Sequence, residues 1–226
     1  MGRISIIIPV LNEAAIIQET ISKLQRELEI EIIVVDGGSQ DNTIALAQNL
    51  GVKTIRSPQA VRANQMNFGA SLATGEILLF LHADTCLPDG YPEMITKALS
   101  NPETVAGAFE LAIDSSQKSL RFLETMVNLR SRFLSLPYGD QAFFLKASIF
   151  RELKGFADLP IMEDFEFIQR LKKRGKISIV PAKVITSGRR WQKLGVVKTT
   201  IINQLIILGY YLGVSPKKLS RLYGKK

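Results

Sequence analysis

The chain has 226 residues, 46% of them hydrophobic, enough for one generous domain with a sizeable core or for a domain with an appended subdomain. A formal net charge of +8 and a pI near 9.6 favour an anionic partner, such as a nucleotide diphosphate, an anionic lipid surface or nucleic acid. Cys86 is the only cysteine, which excludes an intrachain disulfide and favours a reducing, cytoplasmic setting, at most the inner face of a membrane.

In chain order, the first element is a short run of branched residues, Ile4-Ser5-Ile6-Ile7-Ile8-Pro9, which leads into Asn12-Glu13. Nearly unbroken apolar runs of this length read as strands covered on both faces. Pro9, Asn12 and Glu13 interrupt the run and only Arg3 precedes it as a basic residue, unlike a secretory signal. A helix is expected from Glu13 to Leu28, then a strand Ile32-Ile33-Val34-Val35 ending on Asp36, and a helix from Asp41 to Leu50 that Ser39 or Asp41 is placed to cap. A weaker strand covers Val52 to Ile55, a helix about Val61 to Leu72, and a third buried strand Ile77 to Leu81 runs into His82-Ala83-Asp84.

Strands alternating with helices give a mostly parallel sheet, because crossover connections are right-handed and bring the carboxyl ends of the strands to one edge. Glu13, Asp36 and Asp84 should therefore meet there. Beyond Asp84 the order loosens. Pro88 to Leu99 reads as helix, Ala108 to Ile113 as extended chain, and Leu120 to Leu134 as a long helix whose apolar face carries Leu123, Met126, Val127 and Leu134. Strands are expected at Gln141 to Leu145 and Ile177 to Val180.

Leu194 to Val214 is apolar, yet Lys198, Asn203 and Gln204 interrupt it where a membrane span needs about 20 mostly apolar residues. Val197, Ile201, Leu205, Leu208 and Leu212 recur at helical spacing, and Lys217, Lys218, Arg221, Lys225 and Lys226 follow. Two readings fit: a helix packed on the core with a solvated basic tail, or an interfacial helix with a polybasic anchor.

Each acidic motif has a functional and a plain structural reading. Asp84, just past a buried strand, suits a divalent cation bound to a nucleotide diphosphate, or else begins a turn. His82 alternates with Asp84 and, if the strand continues, shares its face as a metal or ribose contact; a histidine beside a core strand is also commonly structural. Asp36-Gly37-Gly38-Ser39-Gln40-Asp41 offers backbone able to approach a flat ligand and a carboxylate able to accept from a base N–H, or merely a strand-to-helix turn. Glu13 can bind ribose hydroxyls, or favour a helix N-terminus through the macrodipole.

Together and in this order, the motifs resemble the inverting family-two glycosyltransferases of the GT-A fold. Ile8-Pro9-Val10-Leu11-Asn12-Glu13, Val35-Asp36-Gly37-Gly38-Ser39-Gln40-Asp41-Asn42-Thr43 and Leu81-His82-Ala83-Asp84 are similar to that family's first-strand motif, nucleotide-base loop and Asp-any-Asp metal motif. Arg62, Asn64 and Asn67-Phe68-Gly69-Ala70 resemble its donor-side helix, and the likeness runs roughly from Ile4 to Trp191. One departure stands out: His82 replaces the first Asp of the metal motif.

The resemblance implies a donor site of Pro9, Glu13, Asp36, Arg62, Asp84 and Arg190, with Asp84 and His82 at a Mg²⁺ or Mn²⁺ ion. Ile161-Met162-Glu163-Asp164-Phe165-Glu166 is similar to the family's late Glu-Asp pair, which implies Asp164 as catalytic base. Its plain alternative is a set of acids on the first turn of a helix, each worth about 0.3 to 1 kcal/mol there. Asp140 and Gln141 match an acceptor loop, and Glu163 joins them on the acceptor side. In Ser187-Gly188-Arg189-Arg190-Trp191, either arginine suits a leaving diphosphate, with the alternative of a solvated basic surface.

The implied architecture is a Rossmann-like, mostly parallel α/β domain over 1–193, with a nucleotide-binding half at 1–100 and an acceptor half at 101–193. A helical extension with a basic tail completes it at 194–226. The implied activity moves a sugar from a nucleotide-diphosphate donor to an acceptor hydroxyl or phosphate, the acceptor being a lipid-linked or a soluble molecule. Four alternatives compete with it, and one of them, a dinucleotide dehydrogenase, is disfavoured because no Gly-any-Gly-any-any-Gly follows the first strand. A sugar nucleotidyltransferase would need a glycine-rich triphosphate loop after the first strand, which is not there; a degenerate nucleotide- or glycan-binding module draws support from His82. Nucleic acid is disfavoured as a partner because no aromatics interleave with the basic residues.

Overall fold

The computed structural model describes residues 2–27 and 29–224, with Arg190 in its backbone alone. One sheet of eight strands runs through both halves of the chain: β1 (Ile4–Val10), β2 (Ile30–Asp36), β3 (Lys53–Arg56), β4 (Ile77–Phe80), β5 (Thr85–Cys86), β6 (Thr104–Asp114), β7 (Phe143–Lys146) and β8 (Lys176–Ser187), in the order β3-β2-β1-β4-β7-β6-β8-β5. The first four are mutually parallel; β7 runs antiparallel to β4 and β6, β8 is parallel to β6, and β5 pairs antiparallel with β8.

Period-two geometry sends successive side chains to opposite faces, so a strand buried on both sides has no polar positions to alternate with. On β1 and β2, Ile6, Ile8, Ile32 and Val34 enter one core while Ile7, Ile33 and Val35 enter the other. Each side chain so buried contributes roughly 1.5 to 3 kcal/mol. The helices α1 (Ile17–Leu24), α2 (Thr43–Asn49), α3 (Arg62–Ser71), α4 (Tyr91–Leu99), α5 (Lys118–Leu134), α6 (Ala147–Glu152) and α7 (Glu163–Lys172) flank the sheet. Helix α1 starts four residues later than expected, because Glu13 to Ile16 form a turn in which the Ile16 and Ile17 N–H groups donate to the Glu13 carbonyl. The expected end of that helix, Leu28, lies outside the described residues.

Three further differences bear on function. Gln141 belongs to a 3₁₀ turn, Gly139–Gln141, and the strand begins only at Phe143. On α5 the inward face is Leu120, Leu123, Glu124, Val127 and Ser131, while Met126 and Leu134 point outward. The polar Glu124 and Ser131 take inward positions because they bond the Ile113 N–H and the Gln141 side chain, which a purely apolar reading of the helix misses.

Beyond β8 come α8 (Arg189–Leu194), α9 (Val196–Tyr211) and α10 (Pro216–Leu222). The basic stretch expected as a solvated tail is thus mostly the helix α10, held by Leu219 against Gly209, where a Cβ would approach Leu219 to 2.8 Å. Lys225 and Lys226 lie outside the described residues. A small third core of Ile161, Met162, Phe165, Ile206 and Leu219 joins α7, α9 and α10.

Candidate active site

The carboxyl ends of β1 and β2 are stapled together by side chain to backbone bonds. Asn12 sits at φ 56°, in the left-handed region that Asn tolerates better than most residues, and its N–H donates to Ser39 Oγ at 2.9 Å. Its own Oδ1 accepts from the Gln40 N–H at 2.8 Å. The Glu13 N–H donates to Thr43 Oγ1 at 2.8 Å and the Ala14 N–H to Asp41 Oδ2 at 3.1 Å.

Asp36 is almost fully buried, and its carboxylate accepts from the Gly38 N–H at 2.9 Å and the Ser39 N–H at 3.0 Å. Expected at a base edge, this side chain is turned into its own loop and shapes it. Gln65 was not anticipated from sequence. It is buried on α3, and its Nε2 donates to the Val10 carbonyl at 3.0 Å and the Val35 carbonyl at 2.8 Å, closing β1 onto β2. The only sequence signal for it is a long polar residue on a helix face otherwise made of Ala63, Met66, Gly69 and Ala70.

After β4 the chain turns at Ala83-Asp84, with the Thr85 N–H donating to the His82 carbonyl at 3.1 Å. The turn ends the alternation on which a shared face for His82 and Asp84 depended; both line the same two hollows, with different groups nearest to each. Asp84 Oδ2 meets Arg189 Nη2 at 3.1 Å, and the same Nη2 lies 3.1 Å from Glu13 Oε2. Burial raises the Glu13 pKa above its usual value, with Arg189 working in the opposite direction. His82 instead approaches the acceptor side: a Cβ placed on Gly139 would lie 3.3 Å from His82 Nε2, 3.1 Å from Asp164 Oδ2 and 2.9 Å from Arg62 Nη2.

Asp164 sits on the first turn of α7, entered through Met162 at φ 68°. Its Oδ2 accepts from the Gly139 N–H at 2.8 Å and its Oδ1 from its neighbour's Phe165 N–H at 2.7 Å, which fixes the carboxylate and leaves lone pairs toward the cleft. Phe167, one turn on, packs at 4.8 Å between ring centroids on Phe156, which meets Phe80 of β4 at 4.9 Å. This aromatic stack ties the helix that carries Asp164 to the strand that leads into His82 and Asp84. Glu163 is buried and forms an ion pair with Arg62 at 3.7 Å.

Gln141 is fully buried, so the expected acceptor contact is corrected. Its Nε2 donates to the Phe109 carbonyl at 2.8 Å and its Oε1 accepts from Ser131 Oγ at 2.8 Å and the Tyr138 N–H at 3.2 Å, all scaffold bonds that hold the turn. Asp140 does line the cleft; burial, and then the nearby Asp164 charge, raise its pKa against the lowering effect of Arg130. Arg130 itself stacks on the Tyr138 ring at 3.6 Å, and Arg132 bonds Glu110 through Nε at 2.7 Å, so both serve the scaffold. The side chain of Arg190, expected at the donor, lies outside the described residues; Arg189 is the arginine found on Asp84.

Two hollows meet along Arg62, His82 and Asp84. One, of about 540 Å³, is lined by Pro9, Glu13, Val61 and Gln65 on the side of the parallel strands and by Pro160 and Ser220 opposite. The other, of about 340 Å³, is lined by Asp140, Glu163 and Asp164 together with apolar groups from α8, α9 and the end of the chain, among them Trp191, Ile206 and Tyr223.

The sequence model described as "Glycosyl transferase family 2" matches residues 5–153, most of the nucleotide-side half and more than half of the second. The chain belongs to glycosyltransferase family 2. Among curated proteins, this family-2 chain is 42% identical over 91 residues to a PGL/p-HBAD biosynthesis glycosyltransferase of Mycobacterium bovis, a match covering 37% of this chain and 36% of that protein. It is 38% identical over 84 residues to an uncharacterized glycosyltransferase of Rickettsia felis, covering 37% and 29%. The matched stretch is therefore about a third of the length of these relatives.

Among solved structures, the family-2 fold superposes on mannosyltransferase PcManGT from Pyrobaculum calidifontis in complex with GDP-Man and Mn²⁺, with TM-score 0.63, 20% identity, 82% of this chain and 56% of that one. For S. aureus TarS 1-349 in complex with UDP the values are 0.68, 17%, 82% and 60%. At these identities the likeness shows the fold, which is GT-A.

Proposed function

We propose that this chain transfers a glycosyl group from a nucleotide-diphosphate sugar to an acceptor hydroxyl with inversion at the anomeric carbon. The observation that carries the reading is the meeting of the two hollows at Arg62, His82 and Asp84, with Asp164 on one side and the Glu13–Arg189–Asp84 group on the other. Structural neighbours bound to GDP-Man and to UDP support a nucleotide donor. Pro9 and Glu13 line the donor side, Arg62 stands where donor and acceptor meet, and Asp140 and Glu163 line the acceptor side.

In this reading the acceptor oxygen attacks the anomeric carbon while the bond from that carbon to the diphosphate oxygen breaks and its electron pair leaves with the diphosphate. The acceptor proton passes to a free lone pair of Asp164, whose orientation the Gly139 and Phe165 amides hold. Inversion follows from attack opposite the leaving group. Arg189, released from Glu13 and Asp84, is within reach to pair with the departing diphosphate.

Mg²⁺ or Mn²⁺ fits the residues present. Glu13 and Asp84 already converge on one positive group at 3.1 Å each, the Arg189 guanidinium. Among the described residues no set of three or more His, Cys, Asp or Glu gathers to form a metal cage. One or two carboxylates completed by substrate phosphates is the usual arrangement for Mg²⁺. Asp84 would hold the ion with Glu13 beside it, and when bound it would supply charge stabilisation to the leaving diphosphate. His82, turned toward Gly139, is better placed to orient the sugar or the acceptor than to ligate that ion.

The acceptor-side hollow is largely apolar away from its carboxylates, which favours an acceptor with an apolar or lipid-linked portion. The test is Asp164→Asn assayed for turnover with UDP- and GDP-sugars alongside donor binding by calorimetry. Turnover should fall by about 10²- to 10⁴-fold, a general base's usual share, with donor affinity unchanged; unchanged turnover would overturn the assignment of the base.

A further inference from the structure

Charge is divided along this chain in a way its total conceals. Residues 1–166 hold 14 Lys and Arg against 21 Asp and Glu, whereas residues 167–226 hold 15 Lys and Arg and no acid at all. The second segment includes α8, α9 and α10, and among its exposed residues are Lys193, Lys198, Lys217, Lys218 and Arg221.

Helix α9 is apolar on two faces. Ile206, with Ile202 and Ile207, packs inward against α7 and the acceptor hollow. At 100° per residue, Val197, Ile201, Leu205, Leu208 and Leu212 fall within an arc of about 80° on the outer side, and all five are between 53% and 73% exposed. Exposed Tyr211 borders this stripe, and Leu222 of α10 is exposed as well. On α5, Phe122, Met126, Leu129 and Phe133 form a second outward stripe at helical spacing. Leu136, just past the end of α5, packs in the same small core as Ile206.

A helix with apolar residues on two faces ordinarily has both covered, and the outer face of this one has nothing over it among the described residues. It is too short to cross a bilayer: its 16 residues span about 24 Å against a hydrocarbon core of about 30 Å, and no described helix qualifies as a span. A second copy of the chain is a poor cover, because a two-fold contact would bring two sets of unneutralised Lys and Arg together. An anionic lipid surface satisfies both halves of the pattern, taking the apolar stripe into the headgroup boundary while the flanking cations meet lipid phosphates.

We propose that the outer face of α9, flanked by Lys193, Lys198, Lys217, Lys218 and Arg221, is a docking surface for an anionic lipid bilayer, against which the acceptor hollow on the helix's inner face is held. Docking does not depend on the catalytic assignment, and its test separates the two. The full chain is incubated with phosphatidylglycerol-rich vesicles and with purely phosphatidylcholine vesicles, sedimented, and compared with Leu205→Gln/Leu208→Gln and Lys217→Glu/Lys218→Glu. Circular dichroism confirms folding, and nucleotide titration in vesicle-free buffer reports on the donor site.

The full chain should sediment with the anionic vesicles and lose binding as salt is raised. Each double variant should lower that binding about tenfold or more, consistent with loss of Leu burial or of about 1 kcal/mol per Lys, while nucleotide binding stays as it was. The proposal is overturned if the full chain ignores both vesicles, binds them equally, or binds undiminished in the Leu variant. It is also overturned if sedimentation velocity shows a dimer that the Leu variant dissolves, since the face would then serve a second copy. Failure to bind nucleotide with vesicle binding intact would count against the donor site and leave the docking surface standing.

Discussion

Arg189 Nη2 and Asp84 Oδ2 lie 3.1 Å apart, and because the same guanidinium nitrogen reaches Glu13 Oε2 at 3.1 Å, this arginine occupies the one place where both carboxylates point. A chain-borne cation and a divalent ion compete for that place. Arg189→Ala should therefore tighten Mn²⁺ binding in the absence of nucleotide, by up to about 5-fold for a partly exposed pair worth up to about 1 kcal/mol. It should also raise the donor KM, since the same arginine is lost to the diphosphate. Paramagnetic titration of Mn²⁺ checks the first effect and steady-state kinetics the second; weaker Mn²⁺ binding in the variant would show that Arg189 organises the carboxylates rather than competing for them.

Gly139 is the residue around which the acceptor side is assembled. Its φ is not positive, so alanine is allowed by the backbone, but the added methyl would press on Arg62, His82 and Asp164 at about 3 Å. Gly139→Ala should fold normally and lose about 10²-fold in kcat through misplacement of the base, with the donor KM little changed. A thermal melt paired with kinetics tests this; an unchanged kcat would show that the three side chains adjust freely.

Much of this architecture is legible in the sequence, for identifiable reasons. The buried strands β1, β2 and β4 stand out because double-sided burial removes their polar alternation, and their parallel order places Glu13, Asp36 and Asp84 at one edge. What is not legible depends on backbone turns and on partners distant in sequence. The turn at Ala83-Asp84 gives His82 and Asp84 different nearest groups, Gln141 is drawn inward by Ser131 and the Phe109 carbonyl, and Met126 faces outward because Glu124 and Ser131 take inner positions on α5. The outer stripe of α9 is visible as a periodicity, but periodicity alone does not say which of two apolar faces meets the core.

Gln65 closes β1 onto β2 with two bonds from one buried amide nitrogen. Removing it leaves two carbonyls at the strand ends without that donor. Gln65→Ala should cost about 2 to 3 kcal/mol, seen as a lower midpoint in chemical denaturation. A larger donor KM should accompany it, because the loops after both strands lose their common anchor. A denaturation midpoint equal to that of the parent would mean that water replaces the amide without loss.

Asp140 supplies a pH test. Burial, helped by the Asp164 charge, raises its pKa above the ordinary 3.8, and its Oδ1 is enclosed without a hydrogen-bond partner among the described residues. Over the interval between the ordinary value and the raised one, the folded chain holds a proton that the unfolded chain has released, so stability must fall as pH rises through that interval. Asp140→Asn removes this dependence. It should raise the melting temperature at neutral pH relative to the parent, with the advantage shrinking as pH is lowered toward 3.8. The opposite pattern, a variant less stable at neutral pH whose deficit disappears in acid, would mean that the attraction of Arg130 outweighs burial and that Asp140 is a bound anion whose charge the acceptor site uses.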